Sequence, residues 1–386
     1  MFAYGRTQSQ AMTAFRAVRL AQLVTPARPG LAVRNIPAEP YAPVHPLRIG
    51  AKMLPLFGLS DEWRPGQHDS IVYTIEDAFV LSSAGIIGLP TGELVEDTLD
   101  HTDPALDGYE RRGGHTLLGA DGLARPEGGW IHIGAKPTEL AGRHLSLLLG
   151  VHTNHFHWLL MNFARIALLG RADLQLDSIL VPAGLTPLHL EAIRRVQPLQ
   201  GIPLRPVRRG ESLRVRSLVL PWNIASGSGV NPAAVAFLRD LIPSKAVIGK
   251  RRIYIDRRQS PVRRLINEDE LINDLRKVDI EPVRLEGLSL CEQANLLREA
   301  NLVVAPHGAG LANIVWAASG TRVIELMPSG TMNWCYRHLA AAAEHDYDCV
   351  LGRSHPREGT PSFAADWTVS PTHVLSALSD QGGDFV

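Results

Sequence analysis

The sequence predicts an α/β protein built mainly on parallel β-sheets, and three observations lead to this prediction. From Arg143 onward, short apolar runs typical of buried strands alternate with segments of helical periodicity. Turns that contain glycine or proline separate these segments. The chain has 386 residues, of which 45% are hydrophobic, so it is long enough for two domains that each bury a core.

The first half of the chain divides into a predicted extension, residues 1–65, and a predicted domain, residues 66–225. The extension is rich in proline and irregular. In the domain, "SIVYTIEDAFVLSSAGIIGLPTGELVED" predicts strands or hairpins, "RHLSLLLGV" a buried strand, and "HWLLMNFARIALLG" a helix that ends at Gly170. A strand "LDSILVPAG", a helix "LTPLHLEAIRRVQ" and a strand "SLVLPW" follow. The polar, glycine-rich segment Asn223–Pro232 predicts the domain junction.

The second domain, predicted over residues 226–386, alternates more clearly. Asn231 and Pro232 are typical of a helix N-cap and first helical position. The strands "RRIYIDR", "EPVRLE" and "NLVVAP" alternate with the helices "NEDELINDLRKVD" and "SLCEQANLLREA", which we expect Asn267 and Ser289 to cap. A helix "GAGLANIVWAAS" and a strand "RVIELMP" complete the pattern.

The segment "NLVVAPHGAGLANIVW" puts a histidine and two glycines at the predicted end of a buried strand. In a doubly wound sheet, ligands bind beyond the carboxyl ends of the strands. There His307 would meet a ligand, Gly308 and Gly310 would let the backbone approach it, and the next helix would present free N–H groups. By itself the segment fits equally well a turn that only packs a strand against a helix.

Basic residues at neighbouring strand ends favour an anion site over a packing turn. They are Arg257 and Arg258 after "IYID", and Arg263, Arg264 and Asn267 before the next helix. Guanidinium forks suit phosphate oxygens. We expect Glu325 near the same edge, where its carboxylate would accept hydrogen bonds from ribose hydroxyls. A solvated basic face would explain the arginines but not their position at strand ends, so the pattern predicts a nucleoside diphosphate site.

Several motifs are similar, in order and spacing, to those of glycosyltransferase family 61. They are "NHFHWLLMNFARIALL", "YIDRR", "RRLINEDEL" and "LEGLSLCEQANLLREANLVVAPHGAGLANIVWAASGTRVIELMP". The resemblance is dense from about Asn154 to Leu339 and thin before Leu147. It implies the GT-B architecture, in which two Rossmann-like domains face each other across a cleft. It also implies inverting transfer of xylose, N-acetylglucosamine or a related sugar from a nucleotide sugar, which we expect to be UDP-linked.

The resemblance further implies which residues lie on each side of the site. The donor side would contain Arg257, Arg263, Asn267, Glu292, His307, Gly308, Ala309, Gly310, Asn313 and Glu325. Of these, Glu292 and Asn313 could instead cap or brace helices. Asn154 and Trp158 would line the acceptor side. Arg165 matches the arginine that ends the same motif, and it could brace the domain instead of meeting substrate.

Inverting transfer needs a base that takes the proton of the acceptor hydroxyl. The family often has an acid three positions after the His-Trp pair, but this chain has Met161 there, so a carboxylate base cannot be carried over. His157 is then the best candidate and His155 the second, against the alternative of a core histidine bonded to backbone. The nearby His152 makes a metal site conceivable. No Asp, Glu or Cys lies beside these histidines at ligand spacing, so we expect neither a metal nor another cofactor.

Charge, cysteines and hydropathy bound the location and the partners. Lys plus Arg equals Asp plus Glu at 39 each, so the net charge indicates no nucleic-acid partner. Three cysteines without a ligand pattern indicate a reducing compartment, and no stretch approaches a membrane span. The acid-free segment "QAMTAFRAVRLAQLV" could be a helix packed on the body, a surface helix touching anionic lipid, or a transit peptide. We expect a cytoplasmic protein with peripheral contact at the inner face of the membrane.

Three functions remain open from the sequence. The first is an inverting glycosyltransferase that moves a sugar to a glycan or lipid-linked glycan in surface polysaccharide synthesis. The second is a nucleotide-sugar-binding protein without catalysis, which Met161 motivates. The third is a metal-dependent hydrolase that uses His152, His155 and His157.

Overall fold

The computed structural model describes the backbone of thirteen segments of the chain. They are residues 10–18, 30–37, 69–95, 98, 111–112, 115–116, 123–124, 130–149, 153–226, 229–242, 249–330, 333–358 and 364–379. The chain divides into two compact units, and the boundary between them lies between Ile224 and Ala225, within the segment Asn223–Pro232. No helix among the described residues is long and apolar enough to cross a membrane.

The described part of the first unit is built on one large mixed sheet. The strands of this unit are β1 Gln10–Val18, β2 Leu31–Ile36, β3 Ser70–Leu81, β4 Ile86–Gly88, β5 Glu93–Val95, β6 Arg111–Arg112, β7 His115–Thr116, β8 Leu123–Ala124, β9 Trp130–Ala135, β10 Thr138–Ser146, β11 Ser178–Pro182, β12 Leu204–Val207 and β13 Ser212–Trp222. The order is β12-β11-β10-β13-β3-β4-β5-β1-β9-β8, with β2 beside β3 and with β6 and β7 forming a separate pair.

The sequence predicted a mostly parallel sheet here, but only part of the sheet is parallel. Strands β10 to β13 pair in parallel, whereas β3 runs antiparallel to β13 and to β4. The reason is local: β3 and β4 form a hairpin, while helical segments connect β10 to β11 and β11 to β12. The core of the sheet contains Tyr73, Val80, Leu180 and Leu218, all of them fully buried.

One predicted helix of the first unit is instead a strand. Residues 10–18 form β1, which pairs in parallel with β5 and antiparallel with β9, so the expectation of an N-terminal helix was wrong for this stretch. Apolar residues interrupted by arginine fit either period over such a short run, and the sheet partners decide between them.

Helical segments follow β10 and β11 in the first unit. They are a π-helical segment His157–Asn162, 3₁₀ segments Phe163–Leu168, Arg171–Leu174 and Gln197–Leu199, and helix α1 Pro187–Arg195. The predicted "HWLLMNFARIALLG" helix therefore exists, but its hydrogen bonds are not α-helical. Its last residue is Leu168, and Gly170 has an extended backbone with φ −91°, so Gly170 is not its C-cap.

The second unit is a six-stranded sheet flanked by helices, within the described residues. Its elements are a small pair β14 Ala225–Ser226 and β15 Gly229–Val230, then α2 Pro232–Leu241, β16 Arg251–Ile255, α3 Glu268–Arg276, β17 Glu281–Val283, α4 Leu290–Arg298, β18 Ala300–Pro306, a 3₁₀ segment Ala309–Trp316, β19 Arg322–Pro328, α5 Cys335–Ala342, β20 Asp346–His355, β21 Asp366–Thr368 and α6 Pro371–Leu378. The sheet order is β17-β16-β18-β19-β20-β21.

The second sheet confirms the predicted alternation of strands and helices. All neighbours in it are parallel except β20 and β21. Asn231 caps α2 through its side chain with Pro232 in the first turn, and Ser289 caps α4, as predicted. One face of the sheet buries Tyr254 and Val304 with residues of α3 and α6 in a continuous core. The parallel strands bring their carboxyl ends to one edge.

Candidate functional site

The carboxyl ends of β16 and β18 bring Arg257 and His307 to the same edge of the second sheet. The two strands are parallel neighbours, and Tyr254 of β16 pairs with Val304 of β18. Each residue lies three positions beyond its member of that pair. Parallel register therefore places a guanidinium and an imidazole side by side, as the sequence predicted from strand ends alone.

The His307 side chain is held from behind by a buried carboxylate. Its Nδ1 lies 2.5 Å from Oε1 of Glu325, and the hydroxyl of Tyr347 donates to the other oxygen of that carboxylate. Glu325 has no exposed surface. The Tyr336 ring approaches the imidazole edge-on, with ring centroids 5.2 Å apart. Glu325 was expected to meet ribose hydroxyls, but the structure corrects this, because its oxygens face His307 and Tyr347.

Two arginines gather in front of the strand ends. Nη1 of Arg257 donates to the backbone oxygen of Arg263 at 2.9 Å, and Nη2 of Arg263 lies 3.4 Å from the backbone oxygen of His307. Burial, and then the like charge of Arg263, lower the pKa of Arg257 to about 10. Burial also lowers the pKa of Arg263. Both stay cationic at neutral pH, and their closeness is a cost that a bound anion would relieve.

The backbone around these arginines is braced and partly strained. Arg263 has φ +53°, in the left-handed region that residues with a side chain rarely adopt. Its N–H donates to the oxygen of Ala364, and its own oxygen accepts from Arg257 and from the indole N–H of Trp367. The buried carboxylate of Glu268 accepts from the backbone N–H of Arg257 at 2.7 Å. These bonds hold the strained residue in place, as is common where a binding group must be fixed.

The two glycines of "HGAG" make room for neighbouring side chains. A Cβ atom on Gly308 would lie 2.5 Å from Nε of Arg257, and one on Gly310 would lie 3.3 Å from Cγ2 of Ile255. Gly308 has an extended backbone, so its lack of a side chain matters for space and not for φ. The segment from Ala309 is a 3₁₀ helix and not the predicted α-helix.

Three residues predicted for the donor side brace the second unit instead. The Asn267 side chain bonds both the N–H and the oxygen of Val369, and it does not cap α3. Glu292 forms a capping box with Ser289. Asn313 is buried, donates to the oxygen of Gly310 and accepts from the indole of Trp316. For Glu292 and Asn313, this is the helix-bracing alternative that the sequence had left open.

In the first unit, His157 and Met161 are in direct contact. Nδ1 of His157 lies 2.9 Å from Sδ of Met161, one turn along the π-helical segment. His157 and His155 are half-buried, whereas Asn154 is exposed and its side chain accepts from the N–H of Phe156. The position three after the His-Trp pair therefore touches the candidate base, although it carries no carboxylate. Single-turn π segments are often found at functional sites.

Trp158 belongs to the core of the first unit. Its ring stacks on His189, with centroids 4.0 Å apart, and on Phe163, with centroids 5.0 Å apart. Only 2% of its surface is exposed. It was expected to line the acceptor side, and the structure corrects this, because two neighbouring rings stack on it and almost none of its surface is exposed.

Arg165 is a fully buried cation that ties the motif to the sheet. It donates to the oxygens of Leu148, Pro221 and Asn162, and to the side chain of Asn162, and it lies over the Trp222 ring. Burial lowers its pKa to about 9. The structure thus gives Arg165 the bracing role that the sequence allowed.

No group of three or more histidine, cysteine or acidic side chains is arranged to hold a metal within the residues that the structure describes. His152 lies outside the described residues.

Sequence reasoning missed Tyr336, Tyr347 and Glu268, which contact the site residues His307, Glu325 and Arg257. Each is an ordinary aromatic or first-turn acid in the sequence, and only strand register and packing bring them to the site.

In the comparison with known proteins, the matched region contains both candidate bases, His155 and His157, and both arginines of the site, Arg257 and Arg263. Residues 155–324 match the family model described as Glycosyltransferase 61. Three curated relatives named EGF domain-specific O-linked N-acetylglucosamine transferase are also similar. The one from Drosophila melanogaster is 32% identical over 120 residues, which are 30% of this chain and 23% of the relative. Those from Bos taurus and Mus musculus are 29% and 30% identical over 97 residues, 24% of this chain and 18% of each relative. The match thus spans less than a quarter of these relatives.

Proposed function

We propose that the protein transfers a sugar from a nucleoside-diphosphate donor to an acceptor hydroxyl, because residues 155–324 match the model of glycosyltransferase family 61. The proposal depends above all on one observation, the cluster of Arg257, Arg263 and His307 at the carboxyl ends of β16 and β18. Guanidinium groups and an imidazole at such an edge suit the oxygens of a diphosphate.

In the proposed reaction, the acceptor oxygen attacks the anomeric carbon while the bond between that carbon and the diphosphate oxygen breaks. His157 takes the hydroxyl proton, and His155 is the second candidate for this base. The charge that develops on the leaving diphosphate is stabilised by Arg257 and Arg263. Configuration at the anomeric carbon inverts, because attack and departure occur on opposite sides. We also propose that the two units form the GT-B architecture that the family resemblance implies.

The donor and the acceptor are separate parts of the proposal. The names of the relatives support N-acetylglucosamine as the first donor sugar to test, with UDP as the nucleotide. The same names describe a protein domain as their acceptor, whereas our sequence analysis favours a glycan or lipid-linked glycan of a surface polysaccharide. We keep the glycan as the proposed acceptor, in a cytoplasmic enzyme, with a folded protein domain as the second arm of the test.

The first test measures UDP binding by calorimetry in the wild type and in Arg257→Ala and Arg263→Ala. Each variant should lose about 1–3 kcal/mol of binding free energy, the range for a charge-assisted contact. Arg264→Ala is the matched control, because this neighbouring arginine is exposed and pairs with Asp366. It should bind UDP like the wild type. Unchanged affinity in both Arg257→Ala and Arg263→Ala would disprove this placement of the donor.

The second test distinguishes transfer from the two alternatives. Turnover of UDP-linked sugars with a panel of glycan and protein acceptors should produce a new glycosidic bond. Donor binding without turnover of any pair would favour the binding protein, which the contact between Met161 and His157 motivates. Activity should persist in EDTA, because arginines neutralise the leaving group in this proposal. Activity lost in EDTA and restored by one divalent ion would favour the metal-dependent hydrolase or a metal-dependent transferase.

A further inference from the structure

The carboxylate of Glu325 is enclosed by groups that supply almost no compensating charge. Its oxygens bond only His307 and Tyr347 within the described part of the chain. Cys335 and Tyr336 of α5 and Cys349 of β20 also face it, and burial raises the pKa of each of these groups, and of Tyr347, well above its usual value. They are therefore neutral near pH 7. Of the charged groups around them in the described residues, Arg263 acts on Glu325 itself, while Arg337 and Asp348 lie near Cys349.

Neither Arg257 nor Arg263 bonds the Glu325 carboxylate directly. Arg263 bonds the backbone oxygen of His307, and Arg257 bonds the backbone of the loop that contains Arg263. Arg263 is close enough to sense the charge of Glu325, but among the described residues the only cation-forming group in hydrogen-bond contact with the carboxylate is the His307 ring. Glu325 is at zero exposure, and an ionised carboxylate there is costly unless a bonded group compensates it.

Three protonation states are possible for the pair of His307 and Glu325, and the third holds one proton fewer than the first two. Imidazolium can face carboxylate, a carboxylic acid can donate to Nδ1, or a neutral ring can donate from Nδ1 to an ionised carboxylate. The third state leaves a buried anion without a bonded cation, so the first two are favoured. In both of those, the pair is neutral overall and Nε2 carries a hydrogen. Across the ring from Nδ1, Nε2 points away from Glu325.

We propose that Glu325, held by the Tyr347 hydroxyl, is a positioning residue that keeps a hydrogen on Nε2 of His307 and makes this histidine a hydrogen-bond donor to an anion. His307 is then not a base, and the proton it holds is not transferred. The inference rests on the proposed function only in taking the anion to be the diphosphate of the donor. It gives Glu325 a part in binding although its carboxylate touches no ligand.

Nitrogen NMR of the full chain labelled in its histidine rings tests the protonation without any ligand. The His307 signals are identified by their loss in His307→Ala. In the wild type, Nε2 should keep its hydrogen from pH 6 to pH 8.5. In Glu325→Gln, the pair can no longer share a proton in this way, so Nε2 should lose its hydrogen as the pH rises across this range. A wild-type Nε2 that loses its hydrogen in this range would overturn the proposal, whatever the protein binds.

The second measurement is UDP affinity at pH 6 and pH 8.5, given as the ratio of variant to wild type so that ionisation of UDP cancels. At pH 8.5, Glu325→Gln should bind roughly tenfold more weakly, because a neutral ring that donates from Nδ1 to the new amide oxygen has no hydrogen on Nε2, and near pH 6 the ratio should approach one. Asp348→Asn is the control. Like Glu325→Gln, it replaces a buried carboxylate by an amide, but this carboxylate belongs to β20 and accepts from Arg322. Its ratio should be equal at both pH values.

Further outcomes separate the two proposals. The same pH-independent ratio for Glu325→Gln and Asp348→Asn would mean that Glu325 acts only through stability, which overturns the positioning role. If Glu325→Gln does not fold, the NMR measurement on the wild type, which needs no change at Glu325, decides the proposal by itself. A wild type that binds neither UDP nor inorganic pyrophosphate would refute the proposed function, while the NMR result would still decide the protonation of His307.

Discussion

At the scale of single residues, the missing Cβ atom of Gly308 makes room for the guanidinium group of Arg257. In Gly308→Ala, the new methyl group would lie 2.5 Å from Nε of Arg257, so the arginine has to move. We expect UDP affinity to fall roughly tenfold, comparable to weakening one charge-assisted bond. Gly170→Ala is the control, because its methyl group would come no closer than 3.6 Å to its nearest neighbour. Wild-type UDP affinity in a folded Gly308→Ala protein would contradict this role.

His157 carries the catalytic part of the proposal at the same scale. An imidazole can take a hydroxyl proton near neutral pH, and this ring is half-buried on the π-helical segment His157–Asn162. His157→Ala should therefore lower kcat by roughly 10²–10⁴ and leave donor affinity unchanged. Steady-state kinetics together with calorimetry give both numbers. A folded variant with near wild-type kcat would rule out His157, and His155→Ala would be measured next.

The sequence was least informative about which buried groups contact each site residue. Arg257, His307 and Gly308 were placed correctly because strand ends meet at one edge of a parallel sheet. The contact of Glu325 with His307 could not be predicted, since it depends on the register of β18 and β19, where Ala305 pairs with Glu325. The family resemblance assigned Trp158 to the acceptor side, and a sequence does not reveal that His189 and Phe163 stack on its ring.

At the scale of elements, Asn267 joins the start of α3 to the strand end before α6. Its side chain bonds the N–H and the oxygen of Val369, so Asn267→Ala leaves two backbone groups without these partners. We expect a loss of about 1–3 kcal/mol in the free energy of unfolding, measured in denaturant, with UDP affinity unchanged in the folded protein. Asn273→Ala removes an exposed asparagine of α3 and should change neither quantity. If Asn267→Ala weakened UDP binding at unchanged stability, the donor role first predicted for it would be restored.

Element positions were largely predictable, while their hydrogen-bond registers were not. The caps at Asn231 and Ser289 depend on local side-chain chemistry, and both were identified from the sequence. The π-helical and 3₁₀ segments keep the apolar spacing of an α-helix over one or two turns, so a sequence pattern cannot separate them. Packing against the sheet decides which register forms.

At the scale of the whole molecule, the strand β1 links the start of the chain to the sheet of the first unit. It lies between β5 and β9, so it is an interior strand and not an appended helix. This removes the helical basis on which lipid contact by residues 10–18 was expected. It also means that a deletion of this stretch tests the fold of the first unit, while the arginine cluster belongs to the second unit.

Deleting residues 2–18 should destabilise the first unit, because the facing edges of β5 and β9 lose their backbone hydrogen bonds. We expect the Tm of that unit to fall by roughly 5 °C or more, since a loss of 1 kcal/mol corresponds to about 2–4 °C in a domain of this size. UDP affinity should be preserved, because the diphosphate site is built within the second unit. Deletion of residues 2–9 leaves β1 whole and is the matched control. Calorimetric scans of both deletions decide the matter: equal Tm values would show that β1 contributes nothing to the sheet, and loss of UDP binding in the longer deletion alone would show that the donor site depends on the first unit.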